Sequence, residues 1–325
     1  MVAPRPIAFQ PLAHPHPVPA GTRLVLAHRG ASALAPENTL AAFRAAADAG
    51  ARWIELDVDV LGDGTLIVIH DSLLERTTNR TGPYYDLTAA DLPALDAGSW
   101  FTPERPPAGD PGPEGAAPGG TSADGAPGAA PALTIPASGV ALAPIPAPGA
   151  APAPNFDTTP FAGEGVPTLP AVLDLAAQRH LNVNIELKSC QAGATACSLL
   201  VDGVAELIDE QARRAPDCEA LVSSFNPLLL ERMGRRRPGT PLAILTRVGL
   251  LGDDWRSYAE MLGVQAINPA NTGLERSRVE EIRALGYGVN VWTVNNRARA
   301  EELFTWGATG IFTDRIHEFG DLACP

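Results

Sequence analysis

Short apolar stretches, each ending in charged or polar residues, recur along most of this chain and alternate with stretches that predict helices. The first, at 24–27, ends in His28 and Arg29, and a helix is predicted between it and a second apolar stretch at 53–60. Charged side chains at the ends of core strands need a chemical reason, because an unpaired buried charge is costly.

A third apolar stretch, 65–69, follows the second after only four residues. A parallel crossover needs a dozen or more residues, so these two strands must form an antiparallel hairpin. A turn centred in the middle of the connection would place Glu55 opposite His70 and Asp57 opposite Val68. Because alternate residues of a strand point to the same face, we expect the hairpin to gather the two carboxylates and the imidazole into one patch.

The composition changes abruptly between 103 and 165, a stretch that holds 15 of the chain's 32 prolines together with many alanines and glycines. Such a stretch cannot bury enough apolar surface to offset the entropy of ordering. We therefore expect a disordered insertion without chemistry, with a small ordered lid as the alternative. Residues 1–22, rich in proline and histidine, are expected to form an N-terminal tail, so that one domain spans 23–320 around the insertion.

Helices and strands are predicted to alternate regularly after the insertion, which gives the chain eight strands besides the return strand at 65–69. The eight are expected at 24–27, 53–60, 182–187, 220–224, 242–245, 265–268, 288–294 and 309–313. Without tail and insertion the units amount to about 240 residues, close to the size of a (β/α)8 barrel. The predicted fold class is therefore α/β, a (β/α)8 TIM barrel with an extra β-hairpin arm at its mouth. A doubly wound open sheet is the alternative, disfavoured because no Gly-rich phosphate loop follows the first strand.

Charge and cysteine usage narrow the classes of partner. The formal net charge of −13 argues against nucleic acid or an anionic membrane surface as the main partner, and no apolar run approaches the roughly 20 residues of a membrane helix. None of the four cysteines forms a Cys-x-x-Cys pair, which argues against zinc. We find no convincing secretory signal and expect a cytoplasmic location. An upstream start or a Cys190–Cys197 bridge would instead favour the periplasm or secretion.

The active site of a (β/α)8 barrel lies where the strands end at their carboxyl side. Glu55, Asp57 and Glu186 are expected there on adjacent strands, an oxygen-ligand set that suits one divalent cation, Mg²⁺ or Ca²⁺, rather than zinc. His28 and His70 suit general acid–base catalysis at neutral pH.

Two cations and several polar strand ends are predicted at the same mouth. Arg29 and Lys188 can hold a phosphate, the arginine through its planar fork and the lysine as a point charge. Each feature is weak alone: a lone strand-end histidine is more often structural, and Trp292 alone is more often core than a substrate platform. The convergence of these residues at one barrel mouth is what favours a catalytic site.

Nine short motifs carry a more specific signal. In chain order they are His28-Arg29-Gly30, Pro36-Glu37-Asn38-Thr39, Glu55-x-Asp57-Val58, Asp63-Gly64, His70-Asp71, Glu186-Leu187-Lys188, Ser223-Ser224-Phe225, Trp292-Thr293-Val294 and Thr313-Asp314. Together, over about 23–102 and 166–316, they resemble the glycerophosphodiester phosphodiesterase family. The resemblance implies a TIM barrel that hydrolyses small-molecule glycerophosphodiesters, such as glycerophosphocholine, to glycerol 3-phosphate and an alcohol. The chain departs from the family pattern at Leu61-Gly62, where the hairpin turn usually has Thr-Lys, and in its long insertion.

The resemblance also implies a role for each matching residue. Carried over, the metal ligands are Glu55, Asp57 and Glu186, the acid–base pair is His28 and His70, the phosphate contacts are Arg29 and Lys188, and Trp292 lies near the substrate. Two other functions stay open. One is a phospholipase D-like enzyme that acts on lysophospholipids and releases a cyclic phosphate, for which an exposed apolar rim at the mouth is the discriminating feature. The other is a non-catalytic binding barrel.

Overall fold

Nine strands form one sheet in residues 17–102, 160–247 and 252–323, which are the residues that the computed structural model describes. They are β1 (Leu24–Ala27), β2 (Trp53–Val60), β3 (Leu66–Val68), β4 (Asn182–Leu187), β5 (Ala220–Ser224), β6 (Leu242–Thr246), β7 (Ala266–Pro269), β8 (Gly288–Val291) and β9 (Gly310–Thr313). Eight of them are parallel neighbours in the order β1-β9-β8-β7-β6-β5-β4-β2, and β2 pairs back onto β1. The sheet is therefore a closed barrel, which confirms the predicted fold class and excludes the open doubly wound sheet.

Helices alternate with the strands and surround the barrel. They are α1 (Leu40–Asp48), α2 (Leu169–Arg179), α3 (Gly193–Arg214), α4 (Pro227–Arg236), α5 (Trp255–Leu262), α6 (Arg276–Ala284) and α7 (Arg297–Thr305), with 3-10 turns at Ala89–Ala94, Ile316–Glu318 and Gly320–Leu322. Polar caps fix where four of these helices begin: Thr39, Thr168, Asn226 and Asn296 each accept a hydrogen bond from a backbone N–H of the following first turn.

Side chains alternate along each barrel strand between the helix-facing core and the barrel interior. On β2, Ile54 and Leu56 belong to the main apolar core, whereas Trp53 packs on a small separate cluster of Leu221, Ala243 and Ala266. Amides form hydrogen bonds between neighbouring strands above this cluster, with Asn184 Nδ2 donating to Ser223 Oγ at 2.9 Å and Asn290 Nδ2 donating to Asn268 Oδ1 at 3.1 Å. The interior thus becomes increasingly polar toward the carboxyl ends of the strands.

The hairpin exists, but its predicted register is wrong by one residue. Val58 pairs with Val68, and the Ile69 N–H donates to the Asp57 carbonyl at 3.0 Å, so His70 does not lie opposite Glu55. The cause is the turn, which is a three-residue loop and is therefore not centred where the prediction assumed. The loop ends in Gly64 at φ +88°, a left-handed conformation that favours glycine.

The last residues of the predicted tail and the last residues of the predicted insertion both contact the barrel domain. The N–H of Val18 donates to the Gly286 carbonyl at 2.9 Å, and Glu164 Oε1 accepts from the Ala41 N–H at 2.9 Å. The disorder expected for 103–165 falls mostly on residues 103–159, which lie outside the described residues, as do residues 1–16 of the tail.

No helix among the described residues has the length and apolar character needed to cross a membrane. Cys190, Cys197 and Cys218 are free thiols.

The two faces of α4 provide a test of the fold. Leu230 is fully buried in the core, whereas Leu228 on the same helix is 74% exposed. We expect Leu230→Ala to lower the free energy of unfolding by about 2–5 kcal/mol through lost burial and the cavity left behind. The matched control Leu228→Ala should stay within about 0.5 kcal/mol. Urea unfolding followed by tryptophan fluorescence measures both, and equal losses would contradict this placement of α4.

Candidate active site

Three carboxylates converge at the carboxyl end of the barrel strands. Glu55 and Asp57 project from the same face of β2, and Glu186 on the adjacent β4 is the register partner of Asp57. One oxygen of each carboxylate lies within 4.8 Å of the others, and all three residues are buried. The sequence prediction that these three residues meet is therefore confirmed in the structure, and their mutual repulsion calls for nearby positive charge.

Lys188 and Arg29 supply part of that charge. Lys188 Nζ donates to Asp57 Oδ1 at 3.0 Å and to Glu186 Oε1 at 2.8 Å. Arg29 Nε lies 3.3 Å from Asp57 Oδ2, and the Arg29 backbone N–H donates to Glu55 Oε2 at 2.9 Å. Both residues predicted to bind phosphate thus lie against the carboxylate cluster.

The cluster is unevenly neutralised. Burial raises the pKa of Asp57, but the charges of Lys188, His70 and Arg29 outweigh burial and hold that pKa well below its usual range. For Glu55, burial and the Asp57 carboxylate act in the same direction and raise the pKa to about 8. Buried carboxylates that nearby cations neutralise only in part are suited to bind an additional cation. A donor set made only of oxygen atoms suits a hard divalent ion.

His28 is held by a carboxylate from the last strand. Its Nδ1 lies 2.7 Å from Asp314 Oδ1, which also accepts from Ser32 Oγ at 3.0 Å, while Asn295 Nδ2 donates to the other oxygen at 2.6 Å. Because a carboxylate only accepts, Nδ1 carries the proton and Nε2 is left for proton transfer. Burial and Arg29 lower the pKa of His28, but Asp314 and Glu55 together outweigh both and the pKa is raised.

His70 has the same arrangement on the loop that follows β3. Its Nδ1 lies 2.6 Å from Asp71 Oδ1, and Arg76 Nε donates to Asp71 Oδ2 at 2.5 Å. The charge of His70 acts on Asp57 and that of His28 acts on Glu55, so both imidazoles lie near the carboxylate cluster. The hairpin thus brings His70 to the mouth as predicted, although through the turn after β3 and not through the predicted pairing.

Several residues of the site were not assigned roles from the sequence. Asn38 Nδ2 donates to Asp57 Oδ2 at 2.8 Å, and Glu37 Oε1 accepts from Arg29 Nη1 at 2.8 Å. Both residues belong to the Pro36-Glu37-Asn38-Thr39 motif, which is the sequence feature that could have pointed to them. Arg76 had no such signal, because its partners come from distant parts of the chain.

Asp59 continues the row of acids on β2 but takes no part in the cluster. Its Oδ2 accepts from the hydroxyls of Tyr84 and Tyr85, each at 2.7 Å, and Tyr85 Oη in turn accepts from the Gln191 N–H at 2.9 Å. Asp59 has the same alternating position on β2 as Glu55 and Asp57. The two tyrosine hydroxyls satisfy the hydrogen-bonding capacity of the Asp59 carboxylate. Asp59 therefore has a structural role, because these contacts connect the loop after β3 to the loop after β4.

Trp292 follows β8 on the far side of the mouth. Its Nε1 donates to the Asn268 carbonyl at 2.9 Å, and its ring meets that of Phe225 edge to face at 5.4 Å. The Arg247 guanidinium lies over the Phe225 ring, with its Cζ 5.2 Å from the ring centre. The predicted contact of Trp292 with substrate stays a prediction.

Comparison with known proteins assigns this geometry to a family. The model of the glycerophosphoryl diester phosphodiesterase family matches residues 28–318. The chain belongs to this family. As a glycerophosphoryl diester phosphodiesterase it is a phosphoric diester hydrolase that converts glycerophosphodiesters to glycerol 3-phosphate, which argues against the non-catalytic barrel.

Individual relatives span nearly the whole chain. The glycerophosphodiester phosphodiesterase of Bacillus subtilis is 29% identical over 295 residues, 90% of this chain and 83% of the relative. That of Caldanaerobacter subterraneus is 29% identical over 292 residues, 90% of this chain and 93% of the relative. Among solved structures, an Oleispira antarctica phosphodiesterase in complex with the product sn-glycerol-3-phosphate superposes with a TM-score of 0.68 at 25% identity, covering 92% of this chain and 96% of that one.

The His28–Asp314 pair of this phosphodiesterase gives a test of the site's electrostatics. The Asp314 carboxylate stabilises the protonated imidazole, so Asp314→Asn should move the titration midpoint of His28 to lower pH. NMR titration of the imidazole signals in chelator-treated protein measures the shift. The control Asp321→Asn removes an exposed partner of Arg297 and should leave the midpoint in place. A midpoint unchanged by Asp314→Asn would contradict the assigned contact.

Proposed function

We propose that this phosphodiesterase hydrolyses glycerophosphodiesters in a metal-dependent reaction in which His28 and His70 transfer the protons. The observation that carries the proposal is a buried carboxylate cluster with two histidines near it, each held at Nδ1 by a carboxylate. General acid–base catalysis requires such groups with a defined tautomer and a free ring nitrogen.

Glu55, Asp57 and Glu186 would hold one divalent cation, Mg²⁺ or Ca²⁺. Six carboxylates, Glu37, Glu55, Asp57, Asp71, Glu186 and Asp314, surround the mouth together with three permanent cations, Arg29, Arg76 and Lys188. With all six ionised, even two protonated histidines leave an excess of negative charge that a divalent cation would offset. When bound, such an ion supplies positive charge against the charge that develops on phosphate oxygens.

Arg29 and Lys188 would bind the phosphate of the substrate. Arg29 is buried and Lys188 is half-buried beside the carboxylate cluster, where a cation acts more strongly than in water. Their fixed contacts to Asp57 orient them before the substrate arrives, so little reorganisation is needed during the reaction.

The two histidines would divide the proton transfers. One removes a proton from the nucleophile, which is water or the glycerol 2-hydroxyl. The other protonates the leaving alkoxide, without which expulsion at neutral pH is slow. Attack by the 2-hydroxyl would give a transient cyclic phosphate, which water then opens.

Hydrolysis of lysophospholipids is the second candidate function. Leu34 and Leu73 are 40% and 50% exposed, and they lie on the loops that follow His28 and His70, where an acyl chain would pass. Product analysis by ³¹P NMR separates this activity, since it would yield a cyclic phosphate from a lysophospholipid.

Removing either histidine tests the acid–base assignment. His28→Ala and His70→Ala should each lower kcat for glycerophosphocholine by roughly 10²–10⁴-fold. His317 is an exposed histidine outside the mouth, so His317→Ala serves as the matched control and should retain full activity. Full activity in either of the first two variants would rule out the role assigned to that histidine.

The carboxylate cluster is tested by chelation and by charge removal. EDTA should abolish hydrolysis and added Mg²⁺ or Ca²⁺ should restore it, because without the ion no divalent charge offsets the negative charge that develops on the phosphate oxygens. Calorimetry should show that Glu186→Gln weakens binding of the ion, whereas Glu219→Gln, an exposed glutamate immediately before β5, leaves it unchanged. Activity that persists in chelator would contradict the metal requirement.

A further inference from the structure

Arg76 joins two carboxylates that belong to different loops. Its Nη1 and Nη2 donate to the two oxygens of Glu37, each at 2.7 Å. Its Nε and Nη2 donate to the two oxygens of Asp71, at 2.5 Å and 3.1 Å. One guanidinium therefore holds both carboxylates in the planar, two-pronged geometry that arginine forms with carboxylates.

Each of these carboxylates holds a residue of the proposed mechanism. Asp71 Oδ1 lies 2.6 Å from His70 Nδ1, and Glu37 Oε1 accepts from Arg29 Nη1 at 2.8 Å. The result is a charge network in which positive and negative side chains alternate from His70 through Asp71, Arg76 and Glu37 to Arg29. This network connects the loop after β3 to the loop after β1.

The pKa values of the two carboxylates favour a fixed arrangement of this charge network. Burial raises the pKa of Glu37, but Arg29 and Arg76 outweigh burial and lower the pKa to about 2. Burial also raises the pKa of Asp71, and its hydrogen bonds from His70 and Arg76 hold that pKa below its usual range. Both carboxylates are therefore ionised at neutral pH, and without Arg76 the Asp71 anion would lose its second anchor.

We propose that Arg76 is a positioning residue of this enzyme, which fixes the orientation of the His70 imidazole relative to the Arg29 guanidinium. The inference rests on the proposed roles of His70 and Arg29. Arg76 acts through these residues because Nε, Nη1 and Nη2 are all engaged by carboxylates. The side chain is also 35% exposed, so its removal leaves no large cavity in the core.

The proposal predicts a specific kinetic pattern. Arg76→Gln should lower kcat about 10–100-fold, the usual effect of removing a group that orients a functional residue from behind. Arg76→Lys should recover little of this, since an ammonium cannot bind both carboxylates in two-pronged fashion. Arg80, on the same loop and 46% exposed beside Asp91, gives the matched control Arg80→Gln, which should keep the parent kcat.

A double-mutant cycle separates positioning from a loss of folding. If Arg76 acts through Asp71, Arg76→Gln should cost much less in the Asp71→Asn background than in the parent, whereas independent effects on folding would add. Additive losses of kcat, or a parent-like kcat in Arg76→Gln, would overturn the proposal.

NMR provides a readout that does not depend on turnover. The His70 Nδ1–H signal, hydrogen-bonded to Asp71, should be sharp and low-field in the parent and in Arg80→Gln, and broadened or lost in Arg76→Gln. An unchanged signal in Arg76→Gln would overturn the positioning role. Absence of hydrolysis by the parent across a panel of glycerophosphodiesters would instead reject the proposed function, and the signal would still decide the role of Arg76.

Discussion

Mutual repulsion between three buried carboxylates is the constraint around which the mouth of this barrel is built. The parallel pairing of β2 with β4 sets Asp57 beside Glu186, and the alternation of β2 adds Glu55 on the same face. Like charges this close cannot all remain ionised in a protein interior without nearby cations. Lys188 and Arg29 meet part of this requirement, and the raised pKa of Glu55 marks the part that a bound cation would meet.

The loops extend the same logic outward from the cluster. Each added carboxylate lies against a cation or a histidine: Asp314 against His28, Asp71 against His70, and Glu37 against Arg29. Alternation of charge both neutralises the site and fixes its geometry, because charge-assisted hydrogen bonds are short and directional. The two histidines thereby lie on different loops with the same ring nitrogen, Nδ1, held by a carboxylate.

The hydrophobic pattern was sufficient to predict the barrel and most of its strand ends, since the eight-fold repetition of apolar stretch and helix is carried locally in the sequence. It also brought together Glu55, Asp57 and Glu186, because residues at the carboxyl ends of neighbouring parallel strands must meet. The hairpin register could not be predicted, because it depends on whether Gly64 takes a left-handed conformation in a three-residue loop. The contacts of Arg76 could not be predicted either, since they join loops whose relative position only the closed barrel sets.

Anomalous X-ray diffraction from crystals grown with Mn²⁺, a stand-in for Mg²⁺ that takes the same oxygen ligands, tests the central claim most directly. The account predicts one strong anomalous peak within about 2.0–2.6 Å of an oxygen of Glu55, of Asp57 and of Glu186. A map without a peak between these three side chains, or with the ion bound elsewhere in the barrel, would contradict it.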